Sequence, residues 1–193
     1  MIYLGDAFIA KGYEEIIIPN IWESETFVKK AGGSEILNQM FAFDDKGNRK
    51  ICLIPEVTGI IQQLVNENYF QNKYPAKLFY INKCYRYETP QKGRYREFTQ
   101  LGVEVVSRNN KALDYKDEVI DILKQLLDET QTQYRFNESV KRGLSYYIEQ
   151  GFEVECDNLG AQKQIAGGGS YPEGVGFAIG LERWLLALEK LDK

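Results

Sequence analysis

The fold is decided by residues 78–107, which read LFYINKCYRYETPQKGRYREFTQLGVEVVS. Two runs in this stretch have strand character, and Thr89 to Gly93, with a proline and a glycine, separate them. This pattern predicts an antiparallel pair of strands, Leu78 to Glu88 and Tyr95 to Ser107. Because side chains alternate between the faces of a strand, residues of equal parity within each strand share a face.

The two predicted faces differ sharply in chemistry. The odd face of the second strand carries Leu101, Val103 and Val105 and suits a core. The even face carries Arg86, Glu88, Arg94, Arg96, Phe98, Gln100, Gly102 and Glu104. One solvated face is the ordinary meaning of such alternation. An aromatic ring, a residue without a side chain and facing arginines favour instead the floor of a ligand-binding pocket.

Other elements follow outward from this pair. Their predicted order is a helix stopped by Gly12, a strand Glu15 to Ile18 closed by Pro19, a hairpin of Phe41 to Phe43 with Lys50 to Leu53, a helix between Glu56 and Phe70, an amphipathic helix Ala112 to Glu129, a strand Gly151 to Cys156, a glycine loop 167–169 and a final helix from Phe177 to Leu191. Strands joined by hairpins, with fewer helices, predict an α+β domain with helices against an antiparallel sheet. We expect one domain over residues 1–193.

Composition limits the chemistry. The chain contains no histidine, so mechanisms built on an imidazole base or a histidine-bound metal are excluded. Three scattered cysteines suit neither a disulfide framework nor a paired-cysteine zinc site, and we expect buried, reduced thiols. A net charge of −4 gives no overall attraction to nucleic acid. No apolar run reaches the roughly eighteen residues of a membrane span, and we expect a soluble, cytoplasmic protein.

The run Tyr85 to Gln100, YRYETPQKGRYREFTQ, resembles motif 2 of histidyl-tRNA synthetases, which are class II aminoacyl-tRNA synthetases. The resemblance implies that Arg86 grips the α-phosphate of ATP and the carboxylate of the amino acid. It implies further that Glu88 reads the adenine amino group, Phe98 stacks on the base and Arg94 reaches the outer phosphates. Guanidinium groups suit phosphate oxygens, and aromatic faces suit purines.

Three further segments resemble the same family in the same order. They are IPEVT at 54–58, RGLSYY at 142–147 and GFAIGLER at 176–183, the last similar to motif 3. The resemblance implies that Arg142 lies beside the α-phosphate and that Arg183 binds the γ-phosphate. The amino-acid pocket that it implies is formed by Glu56, Thr58, Gln100, Glu104, Tyr146, Tyr147 and Tyr171. Glu56, Thr58 and Gln100 would hold the ammonium group, and Glu104 with Tyr147 would read the imidazole.

The chain also departs from the family pattern. Ile54 stands where the family has arginine, and Ser145 stands where it has aspartate. Only residues 105–141 separate motif 2 from the Arg142 signature, where the family carries an inserted domain, and the sequence stops just after motif 3. We therefore expect a minimal catalytic core without the insertion and anticodon-binding domains.

The resemblance implies formation of histidyl-adenylate from histidine and ATP with Mg²⁺, with Arg86 and Arg142 as the catalytic residues. This reaction needs no protein base, and Glu153 is the candidate metal carboxylate. Two alternatives stay open: a histidine-sensing relative that resembles the regulatory subunit of ATP phosphoribosyltransferase, and an enzyme that adenylates another amino acid for a non-tRNA acceptor.

A homodimer is expected in each case, because motif 1, the stretch ending at Pro19, builds the family's dimer interface. The acceptor end of tRNA is a candidate partner, and a membrane is not.

Overall fold

The computed structural model describes residues 2–31, 37–71, 73–108, 111–140, 148, 151–160 and 162–189. Its helices are α1 (Ile2–Ala10), α2 (Ser24–Ala31), α3 (Thr58–Asn66), α4 (Lys116–Glu129) and α5 (Leu181–Glu189), with short 3₁₀ turns at Lys111–Tyr115 and Asp157–Leu159. Its strands are β1 (Glu14–Glu15), β2 (Ile21–Glu23), β3 (Phe41–Asp44), β4 (Lys50–Leu53), β5 (Ala76–Tyr85), β6 (Glu97–Val106), β7 (Arg135–Val140), β8 (Gly151–Glu155), β9 (Gln164–Tyr171) and β10 (Gly174–Gly180).

Seven of these strands form one sheet in the order β1-β5-β6-β10-β9-β8-β7. The pairing of β1 with β5 is parallel, and every other pairing in this sheet is antiparallel. A second sheet has the order β2-β4-β3. The α+β class with an antiparallel sheet and flanking helices is therefore confirmed.

One face of the large sheet is buried under helices. The odd residues of β6, Leu101, Val103 and Val105, are fully buried there, as predicted. They belong to one apolar cluster with the buried face of α4 and with Trp184 of α5. Each large apolar side chain removed from water contributes about 1.5–3 kcal/mol, so this face accounts for much of the stability.

Among the residues that the structure describes, the opposite face of the sheet is covered at only one side. Here α3 packs Ile60, Ile61 and Leu64 in a cluster that includes Leu78 and Tyr80 of β5, and the small sheet adds Cys52. Beyond this cover, toward β10 and β9, the face carries small residues. The partial cover leaves an open cleft above the centre of the sheet.

Several predicted boundaries were wrong. The two central strands end at Tyr85 and begin again at Glu97, so Arg86, Glu88, Arg94 and Arg96 lie in the connecting segment rather than in strands. In place of the predicted strand Glu15 to Ile18, the structure has a two-residue strand, Glu14–Glu15.

Two predictions near the end of the chain also fail. The glycine tract 167–169 lies inside β9 and is not a loop. Phe177 to Gly180 belong to β10, and the last helix begins at Leu181. Because β9 and β10 pair with each other, both corrections extend the sheet beneath the cleft.

The cysteines are as predicted. Cys52, Cys84 and Cys156 are all free and buried. Among the described residues, no helix combines the length and apolar character that crossing a membrane requires.

At Gly168 on β9, neighbouring atoms lie closer to the backbone than a residue with a β-carbon would allow. A β-carbon there would collide with the carbonyl oxygen of Gly176 and with the ring of Phe152. We expect Gly168→Ala to lower the free energy of unfolding by about 1–3 kcal/mol, as overpacked cores do. Gly5→Ala is the control, because its β-carbon would lie 3.8 Å from Phe79 in ordinary contact. Urea unfolding curves measure both, and equal midpoints for the two variants would contradict the prediction.

Candidate active site

The cleft lies above the pairing of β6 with β10 and of β10 with β9. Small residues of β10 form its floor: Gly180 is opposite Gln100, Ala178 is opposite Gly102, and Gly176 is opposite Glu104. Eight residues predicted from the sequence line this cleft together, namely Glu56, Thr58, Arg86, Glu88, Arg94, Phe98, Gln100 and Arg183. Of the even face of β6 that the sequence predicted as a pocket floor, Phe98 and Gln100 line this cleft, whereas Gly102 and Glu104 are not among its lining residues.

Arg86 is held from two sides. Its Nε donates to the carbonyl oxygen of Pro55 at 3.0 Å, and its guanidinium carbon lies 5.3 Å from the centre of the Phe98 ring. A cation over an aromatic face at this distance is attracted to it. These contacts orient the guanidinium group and leave its terminal nitrogens available to a ligand in the cleft.

Two further arginines are fixed close by. Arg94 forms an ion pair with Glu88 through its Nε. Arg183, at the start of α5, donates to the carbonyl oxygens of Gly93 and, at 3.1 Å, of Gln164. Bonds to backbone carbonyls orient a guanidinium group without neutralising its charge.

The three guanidinium groups influence one another. Burial lowers the pKa of Arg183, and the positive charges of Arg86 and Arg94 lower it further, while Glu88 raises it. A site that gathers three cations costs free energy when empty, and an anionic ligand relieves that cost. The cleft therefore suits a polyanion such as a triphosphate.

A buried carboxyl group lies beneath the other end of the cleft. Glu104 is 1% exposed, and its two oxygens accept hydrogen bonds from Thr58 Oγ1 at 2.6 Å and from the Tyr171 hydroxyl at 2.8 Å. Burial, with a smaller contribution from the charge of Glu56, raises the pKa of Glu104 to about 8, although its two hydrogen bonds lower it. A ligand with a cationic or N–H donor group here would favour the ionised carboxylate.

Glycine makes room for this carboxyl group. A β-carbon on Gly176 would collide with the carboxylate of Glu104. Glu56 is also buried, and its Oε1 accepts the backbone N–H of Gly59 at 2.9 Å in the first turn of α3. The cleft thus has a cationic end and a buried acidic end.

Not every predicted site residue can be placed. Arg142, Tyr146 and Tyr147 lie outside the described residues. Glu153 accepts a hydrogen bond from the Gln164 amide at 3.1 Å, and Gln164 itself lines the cleft. Within the described ranges, no three acidic, cysteine or histidine side chains gather as metal ligands, so a metal role for Glu153 stays a prediction.

The sequence reasoning missed two residues that shape the cleft. Glu182 accepts both the backbone N–H of Thr99, at 2.8 and 2.9 Å, and the hydroxyl of Thr99 at 2.8 Å. It ties the start of α5 to β6 and so fixes Arg183, and its place directly before Arg183 in the motif could have indicated this. Cys84 donates its thiol proton to Gln100 Oε1, and no sequence signal marked that contact.

The comparisons agree with this geometry. A family profile described as histidyl-tRNA synthetase matches residues 3–133, more than half of the chain. This chain belongs to the histidyl-tRNA synthetase family. The matched region contains the motif-2 segment, with Arg86 and Phe98, and the buried Glu104.

One curated member of the histidyl-tRNA synthetase family is the histidine–tRNA ligase of Corynebacterium kroppenstedtii. It is 27% identical over 283 aligned positions, which cover 94% of this chain and 66% of the relative. The chain thus spans about two thirds of that relative's length. Since the alignment is longer than the 193 residues here, the relative carries residues without a counterpart in this chain.

Solved structures share the fold. The apo histidyl-tRNA synthetase of S. aureus superposes with a TM-score of 0.75 at 26% identity, over 98% of this chain and 64% of that one. A Bacillus halodurans protein described as an ATP phosphoribosyltransferase regulatory subunit/histidyl-tRNA synthetase gives 0.76 at 17% identity, over 95% of this chain and 76% of that one. The second likeness concerns the fold alone.

Glu104 should make the stability of the ligand-free protein depend on pH. Its folded-state pKa of about 8 lies above its ordinary value of 4.5, so between these two pH values the folded state holds a proton that the unfolded state has lost. Stability should therefore fall as the pH rises from about 5 to above 8, and Glu104→Gln should flatten this fall. Thermal unfolding at a series of pH values measures it, with exposed Glu15→Gln as the control. If Glu104→Gln keeps the slope of the parent protein, the raised pKa is refuted.

Proposed function

We propose that this chain activates histidine with ATP, forming histidyl-adenylate and pyrophosphate, as a minimal histidyl-tRNA synthetase-like ligase. The observation that carries the proposal is the cleft itself, in which three arginines and an aromatic ring lie together with Thr58, whose hydroxyl donates to the buried Glu104 behind the lining. ATP would place its phosphates among the arginines, and histidine would direct its side chain toward Glu104. Family membership supports the same assignment.

In the proposed reaction, a carboxylate oxygen of histidine attacks the α-phosphorus of ATP. A new P–O bond forms, the bond to the β-phosphate oxygen breaks, and pyrophosphate leaves with the electron pair. The nucleophile is already ionised, so the protein aligns the reactants and stabilises the negative charge that develops on phosphorus. Arg86 suits this role because Pro55 and Phe98 fix its orientation. Arg142 would join it, as the resemblance implies.

ATP binding would rearrange one ion pair. Glu88 and Arg94 bind each other in this structure, whereas adenine reading by Glu88 and phosphate contact by Arg94 need both to face the nucleotide. Binding would therefore exchange the ion pair for contacts to ATP. Arg183 has no carboxylate partner among the described residues, and its backbone hydrogen bonds keep it in place for the γ-phosphate.

Magnesium would enter with the triphosphate. The carboxylates that line the cleft are engaged: Glu88 pairs with Arg94, Glu56 accepts Gly59 N–H and Glu182 accepts Thr99. The described part of the chain offers no cluster of three metal ligands. These residues do not form a dedicated metal cage, which suits an ion that keeps its waters and binds mainly phosphate oxygens.

Two other functions remain as alternatives. A histidine sensor remains open because a protein described as an ATP phosphoribosyltransferase regulatory subunit/histidyl-tRNA synthetase shares this fold. The three arginines argue against it, because a pure sensor needs no phosphate clamp. Adenylation of another amino acid would keep the arginine end of the cleft and change the partner of Glu104. Charging of tRNA remains a prediction from the family resemblance, and a cytoplasmic location remains a prediction from the sequence.

Amino-acid-dependent exchange of pyrophosphate into ATP tests the proposal directly. We expect exchange with histidine and not with the other nineteen amino acids. Arg86→Lys replaces a planar fork by a point charge, and we expect it to lower kcat by on the order of 10²-fold or more. Arg49→Lys, on an exposed hairpin residue paired with Asp45, is the matched control and should keep full activity.

Three outcomes separate the functions. Exchange with histidine that Arg86→Lys and Arg142→Ala abolish supports the proposal. Exchange with a different amino acid supports an enzyme that adenylates that amino acid instead of histidine. Histidine binding in a calorimeter without any exchange would refute the enzyme and leave the sensor.

A homodimer is part of the proposal. Ile17 is 82% exposed and Ile21 is 50% exposed, and both flank Pro19 at the end of motif 1. Exposed isoleucines of this kind suit a protein interface. We expect sedimentation equilibrium to give a two-fold dimer and Ile17→Glu to shift it toward monomer, while Leu185→Glu on α5 does not. A monomeric parent protein would contradict the prediction.

A further inference from the structure

Cys84 occupies a central position under the cleft. It lies on β5 opposite Phe98 of β6, and its side chain is fully buried. Its Sγ is 3.2 Å from Gln100 Oε1, within hydrogen-bonding distance for a thiol donor. Its two neighbours Phe98 and Gln100 both line the cleft.

The thiol is the group that fixes the Gln100 amide. On one side of Gln100 the neighbouring strand presents Gly180, which has no side chain, and on the other side lies Asn82. The Asn82 amide is already engaged with Asn20 Oδ1 at 3.2 Å and with the Lys83 carbonyl at 3.1 Å. Within the described ranges, Cys84 is the only hydrogen-bond partner of the Gln100 side chain.

We infer that Cys84 is a positioning residue for amino-acid binding: its thiol holds the Gln100 amide in the orientation that receives the α-ammonium group of the substrate. The inference rests on the proposed function, in which Gln100 contacts that group. An amide oxygen accepts two hydrogen bonds, so Gln100 Oε1 can accept one from the thiol below and one from the ligand above.

A thiol suits this position because it stays a neutral donor. Burial raises the pKa of Cys84 well above its usual range; Arg86 lowers it, and the carboxylates of Glu56 and Glu182 raise it. A thiolate here would lose the donated proton and would add a negative charge beside a reaction that develops negative charge on phosphate. The buried thiol avoids both effects.

Steady-state pyrophosphate exchange on three single variants tests the inference. Cys84→Ala removes the donor and should raise KM for the amino acid by about 3-fold to 10-fold, the usual effect of one hydrogen bond, with kcat and KM for ATP unchanged. Cys84→Ser keeps a donor and should restore KM to within about 2-fold. Cys52→Ala is the matched control, because Cys52 is equally buried but contacts the Trp22 carbonyl at 3.7 Å, away from the cleft.

A Gln100→Ala background identifies the route of the effect. If Cys84 acts through Gln100, Cys84→Ala should not raise KM for the amino acid any further in the Gln100→Ala background. An independent packing effect would instead raise KM in that background by the same factor as in the parent protein. Thermal unfolding of each variant reports any loss of stability separately. Full additivity, an unchanged KM in Cys84→Ala, or a failure of Cys84→Ser to restore it would overturn the inference.

The inference and the proposed function fail in distinguishable ways. An active parent protein with a normal Cys84→Ala variant overturns the positioning role alone. A parent protein without exchange overturns the enzyme, and histidine dissociation constants from calorimetry then decide the role of Cys84. Weaker binding by Cys84→Ala, restored by Cys84→Ser, would support it; unchanged binding, or no histidine binding by the parent protein, would overturn it.

Discussion

The register of β6 between β5 and β10 is the constraint on which the rest of the structure depends. It directs Val103 into the apolar core and directs Glu104 toward Gly176 and the cleft. A slip of one residue would bury Glu104 under α4 and expose the valines, because the faces of a strand alternate with every residue. The same pairing therefore specifies the core and the site. It also explains why small residues of β10 must lie opposite the functional residues of β6.

The cleft combines rigid parts with one exchangeable part. Backbone carbonyls and an aromatic ring orient Arg86 and Arg183, so these two groups are in place before a ligand arrives. Preorganised charge of this kind needs little rearrangement when negative charge develops. The pair of Glu88 and Arg94 is different, since each neutralises the other in this structure. If a nucleotide binds as proposed, it would replace this ion pair by contacts to both residues.

The sequence predicted the core face of β6 correctly, because Leu101, Val103 and Val105 alternate with polar residues and only one orientation of the strand buries all three. Elsewhere the local signal was ambiguous. The run Gly174 to Gly180 alternates small and large residues, but an apolar run of this length fits a buried helix as well as a strand. The predicted helix therefore began at Phe177, inside what is a strand in the structure. The isoleucines after Glu15 have strong strand propensity, yet Ile17 is exposed and only Glu14 and Glu15 pair with β5. Pairing depends on a partner strand, which a local pattern does not reveal.

Contacts between residues that are far apart in the sequence were not predicted. The thiol of Cys84 meets Gln100 because two strands pair in one register, and Glu182 meets Thr99 because α5 begins where β6 begins. No local pattern carries such information. The motif resemblance predicted the residues that would contact a ligand, and the structure showed the residues that support them.

The burial of every cysteine gives this protein a built-in reporter of opening. Burial raises the pKa of Cys52 to about 12 and that of Cys156 to about 11, and it raises the pKa of Cys84 further. Thiolates are the reactive species, so the folded chain resists alkylating reagents. The three thiols belong to different regions, with Cys52 on the small sheet, Cys84 under the cleft and Cys156 at the end of β8. The order in which they become alkylated thus records which region of the fold separates from the rest first.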